Sequence, residues 1–320
     1  MNEVLKKLYL DGIVPAVKIE NAENAVPVAR ALSDGGIENI EITFRTAAAE
    51  KAIYEIADKC GGMTVGAGTV LTVEQAKAAK NAGAQFAVAP GFNPKVVAWC
   101  AENGLPFLPG CSCCSDIEFA IEAGLEAVKL FPIEQLGGLS YIKAISGPYP
   151  NLKYLPTGGI NPDNVGEYVK NPKVLAAGGS FVTPSDAVAK GDFGRITALA
   201  RMTVLKILGF GFCHLGINCR DGKEAEDTAA GFGELLGFDG DDRGGAIFSG
   251  SVFEVMKSKG RGEKGHIAIS TSSCDRAAEY FRRHGCGIIA DSCGYFPDGR
   301  LRVAYLDRDF AGFALHVINE

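Results

Sequence analysis

Between residue 13 and about residue 200 the chain repeats one pattern: a short apolar segment, a turn, then an Ala-rich segment of helical periodicity. The apolar segments are IVPAVKI (13–19), NIEITFR (39–45), MTVGAGTV (63–70), QFAVAPG (85–91), PFLPGCS (106–112), AVKLFP (127–132), KYLPTGGI (153–160) and VLAAGGSF (174–181). Eight strands alternating with helices predict an α/β fold, a (β/α)8 TIM barrel. A doubly wound open sheet is the alternative. The count of eight disfavours it, as does the lack of a dinucleotide glycine fingerprint after the first strand. A short helix over Val4–Leu10 is expected to close the barrel bottom.

The pattern changes near RMTVLKILGFGF (201–212), which reads as the end of the eighth helix followed by a Gly-containing linker. Beyond it the chain has an internal two-fold similarity. FCHLGINC (212–219) precedes a helix-forming stretch, and GHIAIST (265–271) precedes another. His214 and His266 occupy equivalent places 52 residues apart (266 − 214), and each half continues into short strands. The expectation is a paired βαβββ unit. The domains are therefore placed at 1–208 and 209–320.

Composition bounds the partners. The formal charge of −6 lacks the clustered basic face of a nucleic-acid binder, yet local cations and backbone N–H groups can still hold a small anion. No apolar run reaches the length of a membrane span, and the start MNEVLKKLYL is too short in its apolar part for a secretion signal. The ten cysteines then read as reduced thiols in a cytoplasmic protein. The cluster Cys111, Cys113 and Cys114 lacks a metal-ligand spacing.

Two strands carry chemistry. In NIEITFR the apolar set Ile40, Ile42 and Phe44 packs outward, so Glu41, Thr43 and Arg45 face the barrel interior. In AVKLFP, Val128 and Leu130 face the helices, whereas Ala127, Lys129 and Phe131 face inward. Apolar surroundings disfavour the ammonium form of a lysine. The neutral amine attacks a ketone carbonyl and gives an imine, an electron sink for cleaving a carbon–carbon bond. Such chemistry needs a proton-shuttling base and an anchor for a substrate carboxylate, and Glu41 and Arg45 supply both. A buried salt bridge and a snorkelling lysine are the purely structural alternatives. Lys18 is a second strand lysine near the barrel top: a binder, a bystander or a rival nucleophile. The glycine pairs after the seventh and eighth strands, Gly158-Gly159 and Gly178-Gly179, stand where this barrel usually cradles phosphate.

The motifs IEITFRTAAA (40–49), VGAGTVLT (65–72), VAPGF (88–92), EAVKLFP (126–132), LPTGGI (155–160) and AAGGSFVTPSDA (176–187) resemble those of the 2-keto-3-deoxy-6-phosphogluconate aldolase family, whose members often also cleave 4-hydroxy-2-oxoglutarate. The resemblance covers about residues 4–205. It implies Lys129 as the imine-forming lysine and Glu41 as the proton-transfer base. It implies Arg45 and Thr69 as carboxylate contacts, and Gly158, Gly159, Gly179 and Ser180 as the phosphate site. Pro90 and Phe131 would line the pocket, with Thr157 near the substrate chain. It further implies a homotrimer, a phosphorylated keto-acid substrate and no cofactor for the aldolase. CSCCS at 111–115 departs from the family, whose relatives carry small hydroxyl residues there.

Residues 210–319 resemble the glyoxalase/vicinal-oxygen-chelate family, in which four strand residues bind a divalent metal between two βαβββ modules. That resemblance implies His214, Glu254 and His266 as ligands. The family's usual carboxylate position is placed at Ala314, with His316 two residues later on the same face, which leaves three alternatives: His316 as the fourth ligand, a weakly held metal, or a degenerate site. Imidazole and carboxylate suit Zn, Ni, Mn or Fe alike. The second domain is thereby open to three readings: metal site, sensor of the barrel, or structural appendage.

Overall fold

The computed structural model describes residues 1–319, and the chain divides into two compact units, Met1–Ile207 and a second beginning at Leu208. In the first, strands β1 (Ile13–Val17), β2 (Asn39–Thr43), β3 (Thr64–Gly68), β4 (Phe86–Val88), β5 (Phe107–Leu108), β6 (Gly110–Cys111), β7 (Ala127–Leu130), β8 (Lys153–Pro156) and β9 (Ala177–Gly179) pair in parallel. Pro109, which has no N–H to give to a ladder, separates β5 from β6, so these two pieces fill one barrel position. Bridges Tyr154↔Val174 and Thr157↔Gly178 join β8 to the last strand, and β9 pairs with β1. The result is a (β/α)8 barrel. The strands end earlier than their apolar segments do, because the trailing residues turn out of the ladder to build the mouth: β2 ends at Thr43, two residues before Arg45.

The helix Glu3–Asp11 closes the opposite end. Asn2 caps it, its side-chain oxygen accepting from the Leu5 N–H at 2.8 Å. Leu5 and Leu8 enter a core with Val14, Phe86, Val88, Leu108, Leu155 and Leu175. This apolar plug fills one half of the barrel and leaves the other for polar side chains.

The second unit is one eight-stranded sheet made of two βαβββ modules. The first has β10 (Gly211–Asn218), a helix Gly222–Leu236, β11 (Gly240–Asp242), β12 (Ala246–Ser249) and β13 (Phe253–Met256). The second has β14 (Gly265–Ser270), a helix Cys274–Arg283, β15 (Gly294–Tyr295), β16 (Leu301–Phe310) and β17 (Phe313–Ile318). The strand order β11-β12-β13-β10-β14-β17-β16-β15 is the same from either edge, with β10 and β14 antiparallel at the centre. Each central strand pairs in parallel with the last strand of its own module. Among the described residues no helix is long and apolar enough to cross a membrane.

Candidate active site and second-unit histidine cluster

The barrel mouth holds a cleft of about 220 Å³ lined by Glu41, Thr43, Arg45, Thr69, Pro90, Lys129, Phe131, Thr157, Gly158, Gly159, Gly179 and Ser180, together with Ala16, Ile160 and Gly178. The sequence-derived aldolase residues are thus brought together in one cavity. Lys129 and Glu41 are 6% and 2% exposed, deep enough to exclude bulk water from the reacting centre. Lys129 Nζ lies 4.0 Å from Glu41 Oε1 and 5.5 Å from the Phe131 ring centroid. This ion pair is loose, and both ends face space a substrate can enter.

Small residues make the room. A Cβ on Gly68 would stand 2.0 Å from Glu41 Oε1, so only glycine on β3 lets the carboxylate lie across the barrel. Ala16, paired opposite Glu41, keeps the other side open. Gly178 would likewise drive a Cβ to 2.1 Å from Thr157 Oγ1. Thr43 Oγ1 donates to the Val17 carbonyl at 3.1 Å and accepts from Arg45 Nε at 3.2 Å, turning the guanidinium toward the cleft. Thr69 has φ +57°, a left-handed conformation rare for a β-branched residue and of the kind that concentrates at functional sites. Gly158 and Gly159, at φ +95° and +90°, form a turn that L side chains would strain.

The cleft residues that sequence reasoning missed are Ala16 and Ile160; the sequence marks Thr43 only as inward-facing, and Gly178 only as half of a glycine pair. Alternation along β1 points Ala16 inward and is the one available signal. Lys18 lies outside the cleft lining, and its ammonium pairs with Glu20 at the surface. Cys113 and Cys114 are exposed and Cys111 is buried, with burial pushing the Cys111 thiol up to about 12.

In the second unit His214, Glu254, His266 and His316 converge on one face of the sheet. Nε2 of His214 and of His266 are 3.2 Å apart, and each lies 3.1 and 3.0 Å respectively from Glu254 Oε2. The hydrogen bonds from His214, then from His266, hold the Glu254 carboxyl at about 2. Burial, then the neighbouring charges of His266 and His214, hold His316 down at about 3. Both His316 ring nitrogens are buried without a hydrogen-bond partner. His214, His266 and His316 form a buried group whose ligand atoms all lie within 4.8 Å of one another.

The register corrects the placement of the fourth position at Ala314: the place equivalent to Glu254 is held by His316. Glu254 sits opposite Gly216, two residues past His214, and His316 sits opposite Ala268, two residues past His266. The module two-fold therefore maps Glu254 onto His316. Ala314 lies instead beside His266 and leaves it space. The amino-acid sequence does not reveal this equivalence, because it depends on how the two halves align across β10 and β14.

A (β/α)8 barrel with a buried lysine–carboxylate pair and a glycine-bordered mouth defines the class of Schiff-base barrels. The chain matches the model of the "KDPG and KHG aldolase" family over residues 2–199 and belongs to that family. It is 50% identical over 209 residues to 2-dehydro-3-deoxy-phosphogluconate aldolase of Treponema pallidum (strain Nichols), covering 65% of this chain and 99% of the relative. It is 41% identical over 192 residues to KHG/KDPG aldolase of Escherichia coli (strain K12), covering 60% of this chain and 90% of that protein. Among solved structures, the Legionella pneumophila KDPG aldolase with pyruvate captured as a covalent carbinolamine intermediate matches at TM-score 0.61 and 34% identity, over 63% of this chain and 98% of that one.

Proposed function

We propose that the barrel reversibly cleaves 2-dehydro-3-deoxy-6-phosphogluconate to pyruvate and glyceraldehyde 3-phosphate, using Lys129 as nucleophile. The buried Lys129–Glu41 pair in the barrel mouth carries this reading. The Lys129 amine adds to the C2 ketone, and the proton that the Lys129–Glu41 pair shares leaves with the carbinolamine oxygen as water, giving an iminium and a Glu41 carboxylate. Glu41 takes the proton of the C4 hydroxyl, the C3–C4 bond breaks, and its electron pair moves into the iminium. The aldehyde leaves, the protonated Glu41 returns its proton to C3 of the enamine, and hydrolysis frees pyruvate and Lys129. Arg45, held by Thr43, receives the substrate carboxylate with Thr69, while Pro90, Phe131 and Thr157 flank the chain of the substrate. Gly158, Gly159, Gly179 and Ser180 receive the phosphate at the far side of the cleft. The aldol steps require no metal, because the iminium itself is the electron sink. The dual name of the Escherichia coli relative supports 4-hydroxy-2-oxoglutarate as a second substrate, cleaved to pyruvate and glyoxylate. A homotrimer in the cytoplasm, with no nucleic-acid or membrane partner, completes the reading.

The test is borohydride trapping with pyruvate followed by peptide mapping. A reduced adduct on Lys129, lost in Lys129→Ala, is the expected result. An adduct on Lys18 overturns the nucleophile, and no adduct on folded protein overturns the mechanism. Comparing kcat/KM for the two keto acids ranks them.

For the second unit, we propose a glyoxalase-like domain that binds a divalent cation. The orphaned nitrogens of His316, and Gly216, where a Cβ would stand 2.1 Å from the His266 ring, fit a site built around an ion. His214, Glu254, His266 and His316 would hold it. Such an ion supplies Lewis-acid polarisation of an oxygen ligand.

A further inference from the structure

We infer that His316 occupies a carboxylate position of the second unit's centre, making it a three-histidine, one-carboxylate site tuned to nitrogen-preferring divalent ions. The inference rests on the cation-binding reading of this unit and adds which residue is exchanged and which ions are selected.

Geometry carries it first. The ring centroids of the three histidines stand 5.3, 5.5 and 5.0 Å apart, a nearly equilateral triangle. The donor spacings of 3.0, 3.1 and 3.2 Å among His214, Glu254 and His266 match the edge of about 3.3 Å between ligands of a tetrahedral ion with bonds of about 2.0–2.1 Å. Strand register carries it next. Glu254 and His316 take the same place in their modules, each opposite the residue two past its module's first histidine. The unit's own two-fold would thus be satisfied by a second carboxylate, and the chain puts an imidazole there.

The surroundings are built for that ring. Tyr305, opposite His316 on β16, stacks on it at 4.6 Å and 15°. Phe248, opposite Glu254 on β12, packs edge-on to His214 at 5.7 Å. Gly216 and Ala268 stand between the ligands, and larger side chains would fill the space into which the rings converge. A buried imidazole with both nitrogens unpartnered loses hydrogen bonds it would make in water. A bound cation restores one of them as a metal bond.

The consequence is chemical selectivity. Two carboxylates and two histidines leave a divalent ion formally neutral and suit hard ions, whereas three imidazoles and one carboxylate leave it with one positive charge and favour nickel, copper, zinc or iron over manganese or magnesium.

The test uses the untagged full-length chain, stripped with EDTA and titrated with Ni²⁺ and Mn²⁺, beside His316→Glu and His316→Ala. Folding of each is read by far-ultraviolet circular dichroism. Wild type is expected to bind one equivalent of Ni²⁺, and His316→Ala to weaken it by about 30-fold or more. His316→Glu keeps a ligand at the position, so it should bind both ions and lower the Ni²⁺/Mn²⁺ affinity ratio by about tenfold or more. Electron paramagnetic resonance of the Cu²⁺-loaded chain should show coupling to three imidazole nitrogens in wild type and two in His316→Glu. Unchanged Ni²⁺ affinity in His316→Ala, with an unchanged ratio and nitrogen count in His316→Glu, overturns the inference while leaving a cation site at His214, Glu254 and His266. Absence of stoichiometric Ni²⁺ in wild type, or binding that survives His214→Ala and His266→Ala, overturns the cation reading itself and the inference with it.

Discussion

Thr43 shows how much of the barrel site is set by a single hydroxyl. Its oxygen is the acceptor that fixes Arg45 Nε and the donor to the Val17 carbonyl, both at a position only 2% exposed. Thr43→Val keeps the volume and removes both bonds, taking a donor from the buried Val17 carbonyl at a cost of about 1–3 kcal/mol and releasing the exposed Arg45 guanidinium, which water can still satisfy, from its tether. Because Arg45 is placed to hold the ground-state carboxylate, KM is expected to rise about tenfold with kcat within about threefold, and Thr43→Ser to restore it. An equal fall in kcat with KM unchanged would assign Thr43 to the chemistry instead.

At the scale of elements, strands built of small residues make the site possible. Gly68→Ala on β3 forces a Cβ into the Glu41 carboxylate, 2.0 Å away. The expected result is a kcat lower by about 10²-fold, the usual contribution of a positioned acid–base group, with borohydride trapping on Lys129 retained. The helix Cys274–Arg283 makes a separate prediction. Glu279 pairs with Arg282 at 2.7 Å and Arg283 at 2.8 Å, and the Arg282 hydrogen bond leads in holding its carboxyl at about 2. Its folded value lies below the unfolded value of about 4.3, so its stabilisation is present above pH of about 4.3 and lost as pH falls toward about 2. Glu279→Gln should cost about 1 kcal/mol at pH 7 after allowance for solvent screening, and the difference in Tm from wild type should vanish in acid. A difference independent of pH would mean that packing, not charge, stabilises this helix.

For the whole molecule, the question is whether the second unit serves the barrel. The match to the Treponema pallidum relative covers 99% of that protein and spans 209 residues, so a barrel of this length stands alone there. Removing residues 208–320 should therefore leave aldolase kcat/KM within about twofold, since no cleft-lining residue lies beyond Ser180. A larger loss, or one dependent on added metal, would make the second unit a regulator of the barrel.

Much of this was legible in the chain itself. The period-2 alternation in NIEITFR and AVKLFP dictated that Glu41, Thr43 and Lys129 share the barrel interior, because a strand must show alternate residues to opposite faces, whereas Arg45 and Phe131 lie past the strand ends and line the cleft from its mouth. The repetition of strand and helix determined the barrel, and the paired halves around His214 and His266 determined the doubled module. What only the tertiary structure decided is closeness and register. Whether Lys18 enters the cleft depends on where β1 ends, and that end is set by pairing with β2 and β9. Gly68 is an unremarkable glycine in sequence and becomes indispensable only when Glu41 lies across it. His316 rather than Ala314 is the partner of Glu254 by symmetry because β17 aligns on β14 as β13 aligns on β10. Hydrogen bonding between strands distant in sequence fixes that alignment, and local periodicity carries no information about it.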